Sequence, residues 1–260
     1  DRFYNGKSIK QGFEKWSYFN QKGSSLAMLA IIPARGGSKG LPGKNIRPLA
    51  GIPLICHTIK SALESKNITR VIVSTDDNDI ASVARECGAE VPFIRPVKLS
   101  KDNSMVMDTY FYIIEMLKKE KQVDTPYFIA LLPTAPLRVS EDIDAAIKIF
   151  ESNKADSVIS VTESEVPLEW YRKIDDHGIL TGCFPNENAI NNRQDFKKSY
   201  VPNGAIYVFR TERLRETRRY YMDKTYPYIM PKNRSIDIDD ISDFELADLL
   251  ILRDELLNKF

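Results

Sequence analysis

A basic, glycine-rich loop follows the first apolar run of the chain and is the clearest sign of chemistry in the sequence. After the apolar residues 26–32, residues 33–45 contain four glycines, together with Arg35, Lys39 and Lys44. Glycines let backbone N–H groups approach an anion, and the cations offset its charge. A loop at the carboxyl end of a first strand also lies where α/β sheets usually bind ligands. The pattern therefore predicts a site for a phosphate chain, such as that of a nucleotide.

The spacing within this loop excludes the two common phosphate motifs. Residues 37–44 do not match G-x-x-x-x-G-K-[ST], because the glycine spacing differs and Lys44 is followed by Asn45 rather than by Ser or Thr. The spacing of G-x-G-x-x-G does not fit either. A solvated surface turn therefore stays open as an alternative on composition alone. If the loop binds a nucleotide, the Arg35 guanidinium group would form two hydrogen bonds to phosphate oxygens, and Lys44 would supply a point charge. The further candidate nucleotide-binding residues in the loop are Gly36, Gly37, Ser38 and Asn45.

An acidic segment near the other end of the chain is the counterpart of the basic loop. Residues 235–240 read S-I-D-I-D-D. Side chains two apart in an extended segment point the same way, so Asp237 and Asp239 are predicted to face one Mg²⁺ ion. The alternative is a helix N-terminus that carries acidic residues, and we expect this role for Asp240 and Asp243.

Composition narrows the functional class. The chain has 260 residues and a net charge of +1, which argues against a protein built to bind nucleic acid. No apolar stretch approaches the roughly 20 residues of a membrane span. The three cysteines are far apart and show neither metal-ligand spacing nor a disulfide framework, so we expect a cytoplasmic protein. They are Cys56, Cys87 and Cys183.

Apolar periodicity predicts alternating strands and helices from residue 26 onward, which is typical of an α/β fold. We expect a Rossmann-like, mostly parallel sheet with helices on both faces. The predicted strands are 26–32, 71–74, 91–94, 128–132, 158–161 and 205–209, and the predicted helices cover 52–63, 79–87, 105–121, a segment starting at Ser140, and 241–258. Residues 163–201 are turn-rich and are expected to form an insertion outside the sheet. Residues 1–27 precede this domain, 28–260, as an extension of unknown role.

Six segments in order resemble one known family. Residues 31–46, I-I-P-A-R-G-G-S-K-G-L-P-G-K-N-I, are similar to the opening signature of the N-acylneuraminate cytidylyltransferases, or CMP-sialic acid synthetases. Further matches are V-S-T-D at 73–76, R-P at 95–96, L-P-T-A-P-L-R at 132–138, P-N-G-A-I-Y at 202–207 and S-I-D-I-D at 235–239. The resemblance spans roughly residues 28–258, and its several motifs in order make it specific at family level.

The resemblance implies an enzyme that transfers CMP from CTP to the anomeric 2-OH of a nonulosonic acid, with Mg²⁺, and that releases pyrophosphate. It assigns Arg35 and Lys44 to the triphosphate, places Arg95 near the nucleotide, and makes Asp237 and Asp239 the metal ligands. It also implies substrate contacts and a homodimer formed through the insertion. The implied substrate-binding residues are Leu132, Arg193, Asn203 and Tyr207, and Arg138 is expected to orient the loop that holds Leu132.

Two departures from the family pattern bear on the acceptor. Leu132 stands where the family often has Gln, and Val201 stands where it has a second Arg. An apolar wall suits a deoxy, diacylated acceptor of the legionaminic acid type better than a hydroxyl-rich one. Two rival functions remain at this point. One is a cytidylyltransferase for Kdo or 8-amino-Kdo, whose family loop lacks G-G-S-K-G, and the other is a catalytically silent nucleotide-binding subunit.

Overall fold

A computed structural model describes residues 28–38, 40–101, 104–121, 124–183 and 196–257. In these ranges the helices are α1 (Leu54–Glu64), α2 (Asn78–Glu86), α3 (Val106–Lys121), α4 (Ser140–Ser152), α5 (Thr211–Thr217) and α6 (Ile241–Leu257). The strands are β1 (Met28–Pro33), β2 (Pro48–Leu49), β3 (Ile52–Pro53), β4 (Ile68–Ser74), β5 (Tyr127–Ala130), β6 (Ser157–Glu163), β7 (Arg172–Ile174), β8 (Leu180–Gly182), β9 (Tyr200–Arg210) and β10 (Thr225–Ile229).

A six-stranded sheet with the order β10-β6-β9-β5-β1-β4 organises the described chain. β1 pairs in parallel with β4 and β5, and β6 pairs in parallel with β10. β9 alone runs antiparallel, between β5 and β6. As a result, the carboxyl ends of five strands and the beginning of β9 lie at one edge. The predicted mostly parallel α/β sheet is confirmed.

Helices cover both faces of this sheet because each presents an apolar side to it. One core cluster joins the sheet to α1, α2 and α4, and a second joins it to α3 and α5. A third, smaller cluster lies away from the sheet centre, where Leu41 of the glycine-rich loop meets Ile238 and Phe244. This third cluster holds the basic loop against the acidic segment and the start of α6.

Two strand predictions need correction. Residues 91–94 form no strand, and only isolated bridges occur beside β4: one from Glu90 to Ile72, just before this run, and one from Ile94 to Thr75. Pro92 within this run has no N–H to donate to a ladder, which explains the interruption. The strand expected at 205–209 is instead the eleven-residue β9, whose early residues pair with the end of β6.

The described residues between 164 and 199 lie outside the main sheet, whereas the ends of the predicted insertion, Glu163, Tyr200 and Val201, belong to β6 and β9. β6 and β9 are paired up to Glu163 and Tyr200, and the segment between them forms the separate β7–β8 hairpin. This hairpin and its approach expose large apolar side chains to solvent. They include Trp170 at 48%, Ile174 at 70% and Leu180 at 69% of their full accessible areas. Phe184 and Arg193 of the insertion, and the extension 1–27, lie outside the described residues.

The cysteines contradict the prediction made for them. Cys56 in α1 and Cys87, just after α2, form a disulfide with their Cα atoms 5.7 Å apart, and Cys183 is exposed and free. The prediction failed because α1 and α2 pack side by side, so residues 31 positions apart meet. Cysteine usage therefore gives no argument for a reducing compartment. Among the described residues, no helix has the length and apolarity needed to cross a membrane.

The disulfide predicts a simple pattern of thiol labelling. Under native conditions without reductant, one thiol per chain, Cys183, should react with an alkylating reagent, and all three cysteines should react after unfolding and reduction. Reduction should also destabilise the fold by about 4 kcal/mol, since the bond closes a loop of roughly 30 residues. Peptide mass spectrometry and thermal unfolding with and without dithiothreitol would measure both effects. Alkylation of Cys56 or Cys87 in the unreduced, folded protein would contradict the assignment.

Candidate active site

Four segments converge at the carboxyl edge of the sheet. They are the glycine-rich loop after β1, residues 75–77 after β4, residues 131–139 after β5, and residues 230–240 between β10 and α6. In an open parallel sheet this edge is where ligands bind, because loops from neighbouring strands meet there. The predicted site residues that the structure describes come from three of these segments, apart from Arg95, Asn203 and Tyr207, and the segment 75–77 adds Asp76.

The glycine-rich loop is folded on itself. The buried Asn45 amide donates to the carbonyl of Arg35 at 3.0 Å, and the Ser38 N–H donates to the carbonyl of Gly36 at 3.1 Å. Gly43 has φ of 67° and starts the short 3-10 turn Lys44–Ile46, a conformation that favours glycine. Asn45 therefore closes the loop from inside, and its direct contact with a nucleotide stays a prediction.

Gly36 lies against the segment that follows β4. Its N–H donates to Asp76 Oδ1 at 3.2 Å, and a Cβ at this position would lie 2.7 Å from Asp77 Oδ2. No side chain fits here without a shift. Gly37 is different, because a Cβ there would meet open space, so packing in the protein does not demand glycine. The open side of Gly37 leaves backbone free to approach a ligand.

Arg95 lies behind the loop rather than on its open side. It is 4% exposed and donates to Asp76 Oδ1 at 3.2 Å, to Ser100 Oγ at 2.9 Å and to Thr109 Oγ1 at 3.4 Å. Burial would raise the pKa of Asp76, but hydrogen bonds from the Asp76 and Gly36 N–H groups and the Arg95 charge lower it overall. Arg95 therefore fixes Asp76, which in turn holds Gly36, and its predicted contact with the nucleotide stays untested.

The half-buried Arg35 contributes positive charge on this side of the sheet. Burial lowers the pKa of Arg95, and the charge of Arg35 lowers it further, which places the two guanidinium groups within electrostatic reach. Asp76 offsets part of this repulsion because its carboxylate pairs with Arg95. The loop thus has a local excess of positive charge although the whole chain is nearly neutral.

Lys44 joins the basic loop to the acidic segment. Its Nζ donates to the carbonyl of Ile238 at 2.6 Å, between Asp237 and Asp239. The N–H of Ile238 donates to the carbonyl of Thr134 at 2.7 Å, so the loop after β5 holds the same residue. A Cβ on Gly40 would collide with the backbone oxygen of Asp239, which shows how closely the two segments approach.

Asp237 has a buried carboxylate oxygen, Oδ1, that the protein leaves unsatisfied among the described residues. A Cβ on Gly204 would lie 2.5 Å from its other carboxylate oxygen, Oδ2. Gly204 has φ of 71°, so both its conformation and its contact with the carboxylate require glycine. Burial and the charge of Asp239 raise the pKa of Asp237, while a Thr134 hydrogen bond and the charge of Lys44 lower it.

These two carboxylates fit a hard cation such as Mg²⁺. An orphaned, buried oxygen of Asp237 lies near the exposed Asp239, and carboxylate oxygens are the ligands that Mg²⁺ prefers. The described residues contain no group of three or more histidine, cysteine or acidic side chains that would hold a metal alone. A cation here would need further oxygens from water or from substrate phosphates.

The two remaining acidic residues of this region cap α6, as the sequence predicts. Asp240 Oδ1 accepts from the N–H groups of Ser242 and Asp243 at 2.8 and 3.0 Å. Asp243 Oδ2 accepts from the N–H groups of Asp239 and Asp240 at 2.9 and 3.2 Å. Asp240 and Asp243 therefore stabilise the helix start and orient the chain at Asp239.

The expected acceptor residues divide into two kinds. Asn203 is 3% exposed, accepts from Ser160 Oγ at 2.6 Å and donates to Ser235 Oγ at 2.9 Å, so it positions the start of the acidic segment. Tyr207 is half-buried in β9, and burial together with the Asp237 charge raises its pKa to about 12. Contacts of either residue with a sugar stay predictions, and Arg193 lies outside the described residues.

The loop after β5 is held as predicted for Arg138. This arginine is 2% exposed and donates to the carbonyls of Leu132 at 3.4 Å and Ala205 at 2.7 Å. Burial lowers the pKa of Arg138 to about 9, with the Asp142 charge acting in the opposite direction. The half-buried Leu132 is thereby fixed between β5 and β9.

Sequence reasoning missed Asp76, Thr134 and Asp142. Asp76 was visible only as part of the V-S-T-D match, and Thr134 acts partly through its backbone, which leaves no residue-type signal. Asp142 lies in the first turn of α4, which begins at Ser140 as predicted, and its carboxylate accepts from the Val139 N–H at 3.1 Å. Its other partners are distant in the sequence and leave no local signal.

Comparisons with known proteins lead to one family. The cytidylyltransferase family model matches residues 29–250. A CMP-N,N'-diacetyllegionaminic acid synthase of Legionella pneumophila is 38% identical over 87% of this chain and 97% of its own length. An N-acylneuraminate cytidylyltransferase of Escherichia coli is 37% identical over 85% of this chain, which spans only 51% of that relative. A pseudaminic acid cytidylyltransferase of Campylobacter jejuni is 32% identical over 85% of this chain and 95% of its own length.

Solved structures share the fold at low sequence identity. A CMP:2-keto-3-deoxy-manno-octonic acid synthetase complexed with CTP superposes with a TM-score of 0.63 at 16% identity, covering 88% of this chain and 100% of that chain. A 4-diphosphocytidyl-2C-methyl-D-erythritol synthase from Anaerococcus prevotii gives a TM-score of 0.57 at 15% identity, covering 87% of this chain and 99% of that chain. The extent of the family match and the identity to curated relatives together establish that this chain is an enzyme of the cytidylyltransferase family.

Proposed function

We propose that this enzyme transfers CMP from CTP to the anomeric 2-OH of a nonulosonic acid and releases pyrophosphate. The observation that carries the proposal is the contact of Lys44 with the Ile238 carbonyl, which places a basic loop beside Asp237 and Asp239. Attack on the α-phosphorus builds negative charge on phosphoryl oxygens and on the leaving group, so cations and positioning supply most of the catalysis. The relatives named for legionaminic, neuraminic and pseudaminic acids support the acceptor class.

Each side of the site has a separate task in this reaction. Arg35, Lys44 and the open backbone at Gly37 would bind the triphosphate and hold pyrophosphate as it leaves. Asp237 and Asp239 would hold Mg²⁺, which supplies charge neutralisation of the phosphate oxygens when bound. The unpartnered Asp237 oxygen supports this assignment, because a buried carboxylate oxygen without a partner is costly unless a ligand satisfies it.

The two rival functions fit the chain less well. A catalytically silent subunit would have no use for the paired carboxylates aligned with the basic loop. The Kdo-type structure described above is 16% identical to this chain, so it shows the fold alone. The nonulosonic acid relatives are at least 32% identical over most of this chain.

Within the nonulosonic acids, we propose a diacylated 9-deoxy acceptor of the legionaminic acid type. Leu132 is half-buried at the site edge, and Val201 at the start of β9 is 41% exposed. An apolar side chain does not strongly reject an extra hydroxyl, but it cannot reward one with a hydrogen bond. Two apolar positions where the resembling family has polar groups therefore favour the less hydroxylated acceptor.

Pyrophosphate release tests both the reaction and the acceptor. Purified enzyme with CTP and Mg²⁺ would be given legionaminate-type, neuraminate, pseudaminate and Kdo acceptors, with CMP-sugars identified by mass spectrometry. We expect kcat/KM for the diacylated 9-deoxy acid to exceed that for N-acetylneuraminate by about 10-fold, since apolar-pocket discrimination is worth about 1–3 kcal/mol. Leu132→Gln should narrow this gap by restoring a hydrogen-bonding side chain.

A matched control distinguishes an effect of Leu132→Gln on acceptor binding from a general effect of a Leu→Gln substitution on the protein. Leu63→Gln makes the same change at the last turn of α1, where Leu63 is 44% exposed, and should leave the acceptor ratio unchanged. A preference of the wild-type enzyme for N-acetylneuraminate would disprove the proposed role of Leu132 and Val201. Turnover of Kdo alone, or no CMP-sugar from any acid, would disprove the proposed function.

The metal assignment predicts that neighbouring aspartates respond differently to the same substitution. Asp239→Asn removes a hard anionic ligand and should lower kcat by about 100-fold, which corresponds to roughly 2.7 kcal/mol of barrier. Asp240→Asn should change kcat little, because asparagine also accepts hydrogen bonds at a helix start. Steady-state kinetics over a Mg²⁺ titration would measure both. Equal and small effects would mean that Asp239 has only a structural role beside the helix cap.

We also propose a homodimer formed through the insertion. The β7–β8 hairpin exposes apolar side chains that a monomer rarely leaves in contact with water. Light scattering at micromolar concentration should give twice the 29.7 kDa chain mass. Ile174→Glu in the hairpin should shift this mass toward the monomer, whereas Leu249→Glu on the equally exposed surface of α6 should not. A monomeric wild-type mass would refute the proposal.

A further inference from the structure

A buried carboxylate outside the described active-site groups holds the acidic segment from behind. Asp142 in the first turn of α4 is fully buried. Its two oxygens accept from Arg234 Nε at 3.0 Å and Nη2 at 2.7 Å, and Oδ1 also accepts from the Tyr228 hydroxyl at 2.7 Å. With the Val139 N–H bound to Oδ2, the carboxylate has four donors. This bidentate Arg234–Asp142 pair, called the fork below, fixes the orientation of the two side chains as well as the distance between them.

Arg234 connects this fork to the acidic segment. Arg234 ends the short 3-10 turn Lys232–Arg234, and the acidic segment starts at the next residue, Ser235. Ser235 is itself held by Asn203 at 2.9 Å, and its hydroxyl donates to the Pro231 carbonyl at 2.8 Å. The entry to the segment is therefore tied to α4 and to β9 by side chains.

The far end of the segment has different anchors. Ile238 is held by the Thr134 carbonyl and by Lys44, and Asp239 is held through its N–H by Asp243. Asp237 lies between the two sets of anchors, and its own Oδ1 has no partner among the described residues. Its orientation toward a cation is thus set by the chain on either side of it rather than by hydrogen bonds to that oxygen.

We propose that Asp142 is a positioning residue which acts through Arg234 to hold the two metal-facing carboxylates in register with the basic loop. The proposal deepens the proposed function, since it concerns the same site and rests on that assignment. α4 packs against β6, β9 and β10, so Asp142 is carried by a rigid part of the fold. Loosening the fork would let the segment pivot about Ile238 and would misplace Asp237 without removing any ligand.

The chain offers a matched fork for comparison. Arg70 in β4 donates to Glu90 through Nε at 2.9 Å and Nη2 at 2.7 Å, with nearly the same geometry. Arg70 lies near the start of β4, away from the carboxyl edge of the sheet. Arg→Lys keeps the charge and loses the planar two-point grip, so the same substitution at 70 and 234 isolates the effect of location.

Metal binding without turnover provides the measurement. Mn²⁺ would be used as an EPR-visible probe in the presence of CTP and without acceptor, on wild type, Arg234→Lys, Arg70→Lys and Asp142→Asn. We expect Arg234→Lys to weaken Mn²⁺ binding by about 10-fold or more, as is typical when a group that orients a metal ligand is removed. Arg70→Lys should change the Mn²⁺ affinity by less than about 2-fold, even if thermal unfolding shows that it destabilises the protein.

The kinetic readout separates positioning from simple loss of folded protein. In the presence of acceptor, Arg234→Lys should raise the Mg²⁺ concentration for half-maximal rate, and high Mg²⁺ should restore much of kcat. If Asp142→Asn does not fold, Arg234→Lys carries the test, because Arg234 is partly exposed and its substitution leaves the core intact.

Three results would overturn the inference. They are an unchanged Mn²⁺ affinity in folded Arg234→Lys, an equal loss in Arg70→Lys, or no CTP-dependent Mn²⁺ binding by wild type. Failure of the proposed function has a different signature. Wild type would then bind Mn²⁺ and CTP but form no CMP-sugar, and the positioning role would still be judged by Mn²⁺ affinity.

Discussion

The contact between Lys44 and the Ile238 carbonyl is the interaction on which the site depends. It joins two segments 194 residues apart, and it places a positive charge beside two carboxylates that would otherwise repel each other. Gly40 permits the close approach because any larger residue would collide with the Asp239 backbone. The small apolar cluster that contains Leu41 and Ile238 excludes water beneath the contact. Apolar packing beside the contact thus stabilises two segments of opposite charge in the candidate site.

The sheet brings these segments together through its one antiparallel strand. Because β9 runs opposite to β5 and β6, its first residues lie at the edge where the other strands end. Asn203 and Gly204 therefore reach the acidic segment from below, one by a hydrogen bond to Ser235 and the other by leaving space for Asp237. Arg138 binds the Ala205 carbonyl of the same strand and thereby ties the loop after β5 to it. Asn203, Gly204 and Arg138 therefore fix the positions of the acidic segment and of the loop after β5, which carry candidate substrate-binding residues.

Sequence patterns predicted the elements whose signals are local. The first strand, the amphipathic α3, the helix cap by Asp240 and Asp243, and the mostly parallel sheet all follow from periodicity and residue type. What the sequence could not supply were pairings between distant positions, since neither partner is unusual by itself. The Cys56–Cys87 bond, the antiparallel direction of β9 and the fork between Asp142 and Arg234 belong to this class. The failed strand prediction at 91–94 is different, because its cause is local. Pro92 has no N–H for a strand ladder, but the apolar residues around it still favoured a strand.

The separation of the two charged segments along the chain also has a consequence for biosynthesis. The acidic segment leaves the ribosome roughly 200 residues after the basic loop, when all the strands of the main sheet have been synthesised. At the 5–20 residues per second typical of translation, this delay is on the order of 10–40 seconds. During that interval Lys44 lacks the Ile238 carbonyl as its partner, and the basic loop lacks the acidic segment beside it. The contact between Lys44 and the Ile238 carbonyl can therefore form only after all the strands of the sheet have been synthesised.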